Sequence, residues 1–245
     1  LHLTKFIMKK IVLAAFTLIC VSVAFGQAKK TNKQLINRSG DHLMVQLSAD
    51  FWNGTPDSIG SRMKTIGRGG NIYVMMNKPF KTSPKLSIGF GVGVGTSSMY
   101  FKKLGINVSS NAAKLPFVNQ DSLDRFKKYK LTTAYVEVPL EFRFTAKPDN
   151  DKKSIKAAIG VKVGTLVNIH TKGKTLQNKN DGAINSSTVK ESNKKFLNTT
   201  RLALTGRVGY GNFSLFASYQ INNLFKDGVA PEIKPFQIGL CLSGL

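Results

Sequence analysis

Between Thr132 and Phe144 the chain alternates with a period of two. Ala134, Val136, Val138, Leu140, Phe142 and Phe144 share one parity; Glu137, Glu141 and Arg143 share the other. Successive side chains on a strand point to opposite faces, so the segment predicts a strand with one apolar and one charged face. Its 13 residues exceed the usual soluble strand and suit a tilted strand crossing a bilayer, which takes roughly 9–11. The apolar face would then meet lipid and the charged face a lumen.

Seven further segments repeat the period. Leu43, Val45, Leu47, Ala49 and Phe51 alternate with Gln46, Ser48 and Asp50. Asn71 to Lys78 presents Ile72, Val74 and Met76, and Lys85 to Phe101 presents Leu86, Ile88, Phe90, Val92 and Val94. Ile155 to Lys172 sets an apolar odd face, ending at Ile169, against Lys156, Lys162, Asn168 and His170. Thr199 to Gly209, Phe213 to Asn222 and Ile233 to Ser243 complete the set. The connections run long, short, long, short, long, short, medium. Outer-membrane barrels have long outer loops and short periplasmic turns. The predicted fold is therefore all-β: an eight-stranded antiparallel transmembrane β-barrel of up-and-down order over residues 41–245, with both ends periplasmic.

Several local features refine this outline. Gly89, Gly91, Gly93 and Gly95 alternate with apolar residues. A phosphate-cradling loop needs a helix to open at its glycines, and here the period of two runs straight through. They are expected on the lumen face, leaving space for bulky neighbours. Pro139 lacks an N–H and predicts a bulge or a local break in pairing. Within the long connection 102–130, Asp121 to Phe126 reads as one helical turn capped by Asp121 or Ser122. Phe51, Trp52, Tyr100, Phe101, Phe144, Tyr210, Phe213 and Phe225 fall near strand ends, as interfacial girdles do.

Ahead of the barrel, Met8-Lys9-Lys10 suits a true start with a basic region. Ile11 to Val23 is an apolar core of 13 residues, too short for a spanning helix. Ala24-Phe25-Gly26 fits a small-x-small cleavage site. Residues 1–26 are thus expected to be a cleaved signal peptide and 27–40 a periplasmic lead-in. The net charge is +23, and +20 without the three lysines of residues 1–26. For a secreted chain such a charge points to anionic lipid headgroups rather than nucleic acid. The mature chain keeps one cysteine, Cys241, so it can form no internal disulfide.

On the lumen parity stand Asp50, Glu137, Glu141, Arg143, Lys156, Lys162, Arg201 and Arg207. Eight strands enclose a space that side chains just fill. A paired network is therefore expected, with Arg201, Arg207 and Lys162 holding Glu137 and Glu141. Glu137 and Glu141 lie roughly 13 Å apart along a strand, too far for a coupled catalytic pair. No spacing selects a Ser-His-acid set from the mature chain's His42 and His170, and no metal-ligand cluster is visible. No catalytic residue and no cofactor is assigned. The long connections are basic. Lys102, Lys103, Arg125, Lys127 and Lys128 lie in one, and Lys190, Lys194 and Lys195 in the other. Both are expected on the outer side, facing anionic headgroups.

Tyr135-Val136-Glu137-Val138-Pro139-Leu140, followed by Gly160-Val161-Lys162-Val163-Gly164-Thr165-Leu166, resembles the PorT-like outer-membrane β-barrel family of the Bacteroidetes. Gly209 to Leu215 is similar as well, and the resemblance covers roughly Asp41 to Leu245. Many outer-membrane barrels end in an aromatic residue, where this chain has Leu245. The family's namesake is tied to assembly of the type IX secretion apparatus. The expectation is a non-enzymatic outer-membrane barrel contacting lipid, lipopolysaccharide or an envelope protein complex. The alternatives are a secretion-accessory or small-solute channel component and a lipid-modifying barrel enzyme.

Overall fold

In a computed structural model of the chain, residues 43–64 and 66–244 are described; they belong to the unit Arg38–Leu245. The expected signal peptide and lead-in lie outside the described residues. In chain order the elements are β1 (Leu43–Asn53), the single helical turn α1 (Asp57–Gly60), β2 (Gly67–Pro79), β3 (Leu86–Phe101), β4 (Leu104–Ile106), β5 (Phe117–Asn119) and β6 (Arg125–Thr145). After them come β7 (Ile155–Gln177), β8 (Ala183–Glu191), β9 (Thr200–Tyr210), β10 (Phe213–Gln220) and β11 (Lys234–Ser243).

Eight of these strands close a ring in the order β1-β2-β3-β6-β7-β9-β10-β11, antiparallel at every step. The closing pair sets Leu47 opposite Leu240 and Asp50 opposite Gln237. Alternation then sorts the side chains. Ile72, Val74, Val92, Val94, Val138, Leu140, Ile159, Leu204, Leu215 and Leu240 are exposed on the outside. A contiguous apolar band of this kind is a surface for lipid. The inward parity of the same strands is mostly buried.

The paired part of several strands is longer than the hydrophobic period suggests. β2 starts at Gly67, within a stretch that reads as loop. β6 begins at Arg125 and β7 runs to Gln177; their outer ends pair with each other, Arg125 opposite Gln177 and Phe126 opposite Leu176. The expected helical turn at Asp121 to Phe126 is therefore absent: pairing with β7 satisfies the backbone that a local cap would otherwise serve. β8 comes out of the expected second loop and pairs with the outer end of β7 alone. β4 and β5 form a separate small hairpin.

Two irregularities matter for the lumen. Opposite Ala134 and Tyr135 of β6 stand Asn168 and Leu166 of β7, so Val167 is one extra residue, a bulge. It switches the parity of β7. Lys162 and Leu166 point inward below it; Ile169 and Thr171 are buried above it. Asn168 and His170 therefore lie on the outer face, not in the lumen, and Ile169 is not on the lipid side. Pro139 produces the second. Pairing of β3 with β6 stops at Phe90–Leu140 and resumes at Gly93–Glu137 in the same register. The proline breaks the ladder locally without a bulge.

Apolar packing is concentrated at the end that carries the long connections. Ile59, Phe101, Leu104, Ile106, Val108, Leu115, Leu131, Ile169, Phe196, Leu197, Leu224, Phe225 and Ile233 form one buried cluster. The loops thus fold together as a cap over the barrel mouth. Trp52 packs edge-on against Phe101 and Phe225, with centroids 5.6 and 5.9 Å apart. These three aromatics belong to the cap rather than to a lipid girdle. Phe144, Tyr210 and Phe213 are exposed on the outside at the short-turn end.

Candidate functional site

The eight sequence-picked lumen residues all lie buried inside the ring. They divide into tiers. In the upper tier Glu137 of β6 accepts a hydrogen bond from Arg201 Nη1 at 2.9 Å and another from the Tyr73 hydroxyl, with Lys162 Nζ at 3.6 Å. Arg201 also donates to Gln237 Oε1 at 3.3 Å, and Gln237 in turn donates to both oxygens of Asp50 at 3.2 Å. Ser48 adds a hydrogen bond to Asp50 at 2.6 Å. In the lower tier Glu141 accepts from Arg143 Nε at 2.8 Å and from Arg207 Nη2 at 3.1 Å. Lys156 reaches Asp151, in the short turn before β7, at 3.0 Å.

This arrangement needs the glycines of β3. A Cβ at Gly93 would fall 2.5 Å from the Tyr73 ring, and one at Gly91 2.5 Å from Met75 Sδ. At Gly89 it would strike the Arg143 guanidinium, and at Gly95 the Glu137 carboxylate. The stripe lets large side chains from β2 and β6 lie against the β3 backbone. Met44 of β1, Tyr73 and Met75 of β2, Phe216 of β10 and Cys241 of β11 pack together as an apolar patch on the inner face. Desolvated charges are tolerated only when paired and hydrogen-bonded, and each of the five inward cations has a carboxylate. The result is a filled bore.

Tyr73, Gln237, Ser48 and Asp151 were not singled out from the sequence. Parity would have placed Tyr73 and Gln237 inside, but neutral polar residues give no charge signal to draw the eye. Cation–π contacts extend the same layer: Arg201 lies 5.3 Å from the Tyr135 centroid and Lys162 5.8 Å from that of Tyr73.

The basic residues of the long connections do not form one set. Lys102, Lys103, Lys127, Lys128, Lys190, Lys194 and Lys195 are exposed. Arg125 is not an outer-surface cation. It is buried and holds Asp181 at 2.7 Å and the Lys179 carbonyl at 3.1 Å, tying the β7–β8 turn to the start of β6. Lys195 donates to the carbonyls of Asn111 and Ala112, joining two loops of the cap. Arg62 joins two others, with Asp121 at 2.8 Å and Asn119 at 3.2 Å. The Arg62 hydrogen bond holds the Asp121 carboxyl below the usual carboxylate range. His170 meets Asn168 at 3.3 Å on the outer face, turned away from the lumen glutamates. Among the described residues there is no group of His, Cys, Asp and Glu that could hold a metal ion.

One family comparison agrees with this architecture. The family described as outer membrane protein beta-barrel domain matches residues 31–227. Comparison with curated proteins returns no match. Among solved structures, the attachment invasion locus protein Ail of Yersinia pestis aligns over 82% of this chain and 94% of its own, at 14% identity and a TM-score of 0.34. A mutant porin of Rh. blastica aligns over 82% and 99%, at 8% identity and a TM-score of 0.20.

Proposed function

Because the chain belongs to the outer membrane protein β-barrel domain family and resides in the outer membrane, we propose that it is a closed, non-enzymatic barrel whose working surface is its basic outer end. Its partners on this reading are outer-membrane lipid and lipopolysaccharide. The observation that carries it is the filled interior: tiers of paired charge lie inside the ring and an apolar cap covers its mouth. Such a barrel offers solutes no wide aqueous path, so interaction falls to the outside. Each lumen glutamate is already held by two cations, which supports a structural rather than catalytic use.

Planar-bilayer recording tests the closed barrel. Reconstituted protein is expected to give no discrete conductance steps, and regular steps would favour the channel alternative. In parallel, binding to lipopolysaccharide-containing vesicles should weaken as salt rises, since exposed charges are screened beyond roughly 8 Å at physiological ionic strength.

A finer kinship, with PorT-like barrels, is part of the proposal. The two motif segments that suggest it are partners in one ladder, with Tyr135 opposite Leu166 and Leu140 opposite Val161. An envelope complex would follow from that kinship. Co-purification of secretion-apparatus proteins with the barrel from intact outer membrane is its test.

A further inference from the structure

Six cations gather around one tyrosine on the outside of the barrel. Lys64 Nζ, Arg68 Cζ and Lys130 Nζ lie 6.0, 5.9 and 5.8 Å from the centroid of the Tyr100 ring. Beside the same ring, Lys128, Lys130, Lys172 and Lys174 line a cleft of about 240 Å³. Strand register accounts for the crowding. Tyr100, Lys130 and Lys172 are consecutive partners across β3, β6 and β7, and Lys128 faces Lys174 one step further out. Arg68 is opposite Ser98, two residues before Tyr100.

Among the described residues, no carboxylate pairs with any of these six, whereas every inward cation has one. Like charges gathered on one face repel, and anions beside them relieve that repulsion. The ring of Tyr100 steadies the three nearest cations through its negative face. The height of the cluster also fits a lipid. The last apolar row is Ile72, Val94 and Val136; Gly70, Thr96 and Ala134 form the next; Arg68 opens the first charged row above them. Long basic side chains at such a level reach toward headgroups while their stems lie on the barrel wall.

We propose that this cluster binds the phosphate groups of an outer-leaflet glycolipid, with Arg68, Lys130 and Lys172 at its centre. The proposal rests on the reading above that lipopolysaccharide is a partner, and it assigns that partner to one place. The exposed lysines of the cap, such as Lys102 and Lys103, are then dispensable for lipid binding.

The test uses the full-length protein in a neutral detergent and two probes, bisphosphorylated lipid A and its dephosphorylated form, counted as bound adducts by native mass spectrometry. Wild type should prefer the phosphorylated lipid by at least about tenfold, since each basic residue near an anionic surface adds to the attraction. The double variant Lys130→Glu, Lys172→Glu should lose that preference, and the Lys102→Glu, Lys103→Glu variant should keep it. Tyr100→Leu, which leaves every charge in place, should weaken it in part. Heat-modifiable gel migration confirms that each variant is a folded barrel. A preference that survives at the Lys130, Lys172 variant overturns this site while leaving the lipid reading intact. No preference in wild type overturns both. Complete displacement of lipid A by inorganic phosphate would mean that the cluster takes free phosphate, and the lipid assignment would fall.

Discussion

Arg201 of β9 and Glu137 of β6 meet at 2.9 Å across the face of β7, which separates their strands in the ring. The contact therefore ties three staves of the barrel together from the inside. It is also fully desolvated, Glu137 being 0% and Arg201 2% exposed. Breaking one partner of such a pair leaves the other charge stranded, which costs roughly 3–5 kcal/mol. Glu137→Ala should lower the urea midpoint of the folded barrel by an amount of that order. Removing both charges with Glu137→Leu and Arg201→Met should be milder than Glu137→Leu alone, because only Lys162 is then left without its carboxylate. Equal midpoints for Glu137→Ala and wild type would place the pair outside the energetics of folding.

Gly93 is the tightest test of the glycine stripe. A methyl there would sit 2.1 Å from the Ile72 carbonyl oxygen as well as against Tyr73. Overpacking of this kind costs about 1–3 kcal/mol. Gly93→Ala should be destabilising in that range. Gly206→Ala is the matched control, because its nearest neighbour would be 4.0 Å away. Adding a side chain to an unhindered strand glycine reduces the entropy lost on folding, so that variant should be neutral or slightly stabilising.

Trp52 is the chain's single tryptophan, and its two ring partners make it a reporter on the cap. Phe225→Ala should remove one wall of its site at a cost of roughly 3–5 kcal/mol to the cap. The expected signature is red-shifted emission and easier quenching by acrylamide, with the barrel still heat-modifiable. Unchanged emission would show that the cap does not depend on Phe225.

Acid should loosen the link between the segment carrying α1 and the loop around Asp121. The Arg62 hydrogen bond depresses the Asp121 carboxyl, so the link is complete at neutral pH and is lost only as pH falls below the ordinary 3.8. Hydrogen exchange at residues 57–63 should rise in that acid range. Asp121→Asn should raise it at neutral pH as well.

The barrel was legible because its strands, apart from one insertion in β7, obey a single rule. Asp50, Glu137, Lys162 and Arg201 could be assigned inward from parity alone, since each lies in a regular part of its strand. Parity fails where a residue is inserted, and no glycine or proline in Leu166-Val167-Asn168 announces the bulge. His170 was misplaced for that reason. The cap was hidden for a different one. Ile106 and Leu115, Phe196, and Leu224 and Ile233 come from three connections, with no shared period, and meet only once the ring has brought the loop ends together. Arg125 reads as one more loop cation until the extension of β6 and the approach of Asp181 bury it.

A ring of strands has no beginning and no end, yet β8 gives this one a free margin. Its partner β7 is bonded within the ring by β6 and β9, so β8 is an appendage to a structure that closes without it. All but one of its residues are exposed. Segments of this kind tolerate insertion and exchange, because altering them disturbs neither core nor closure. Residues 183–191 are accordingly the place where a foreign peptide could be grafted and presented at the cell exterior, with the barrel beneath serving as an inert pedestal.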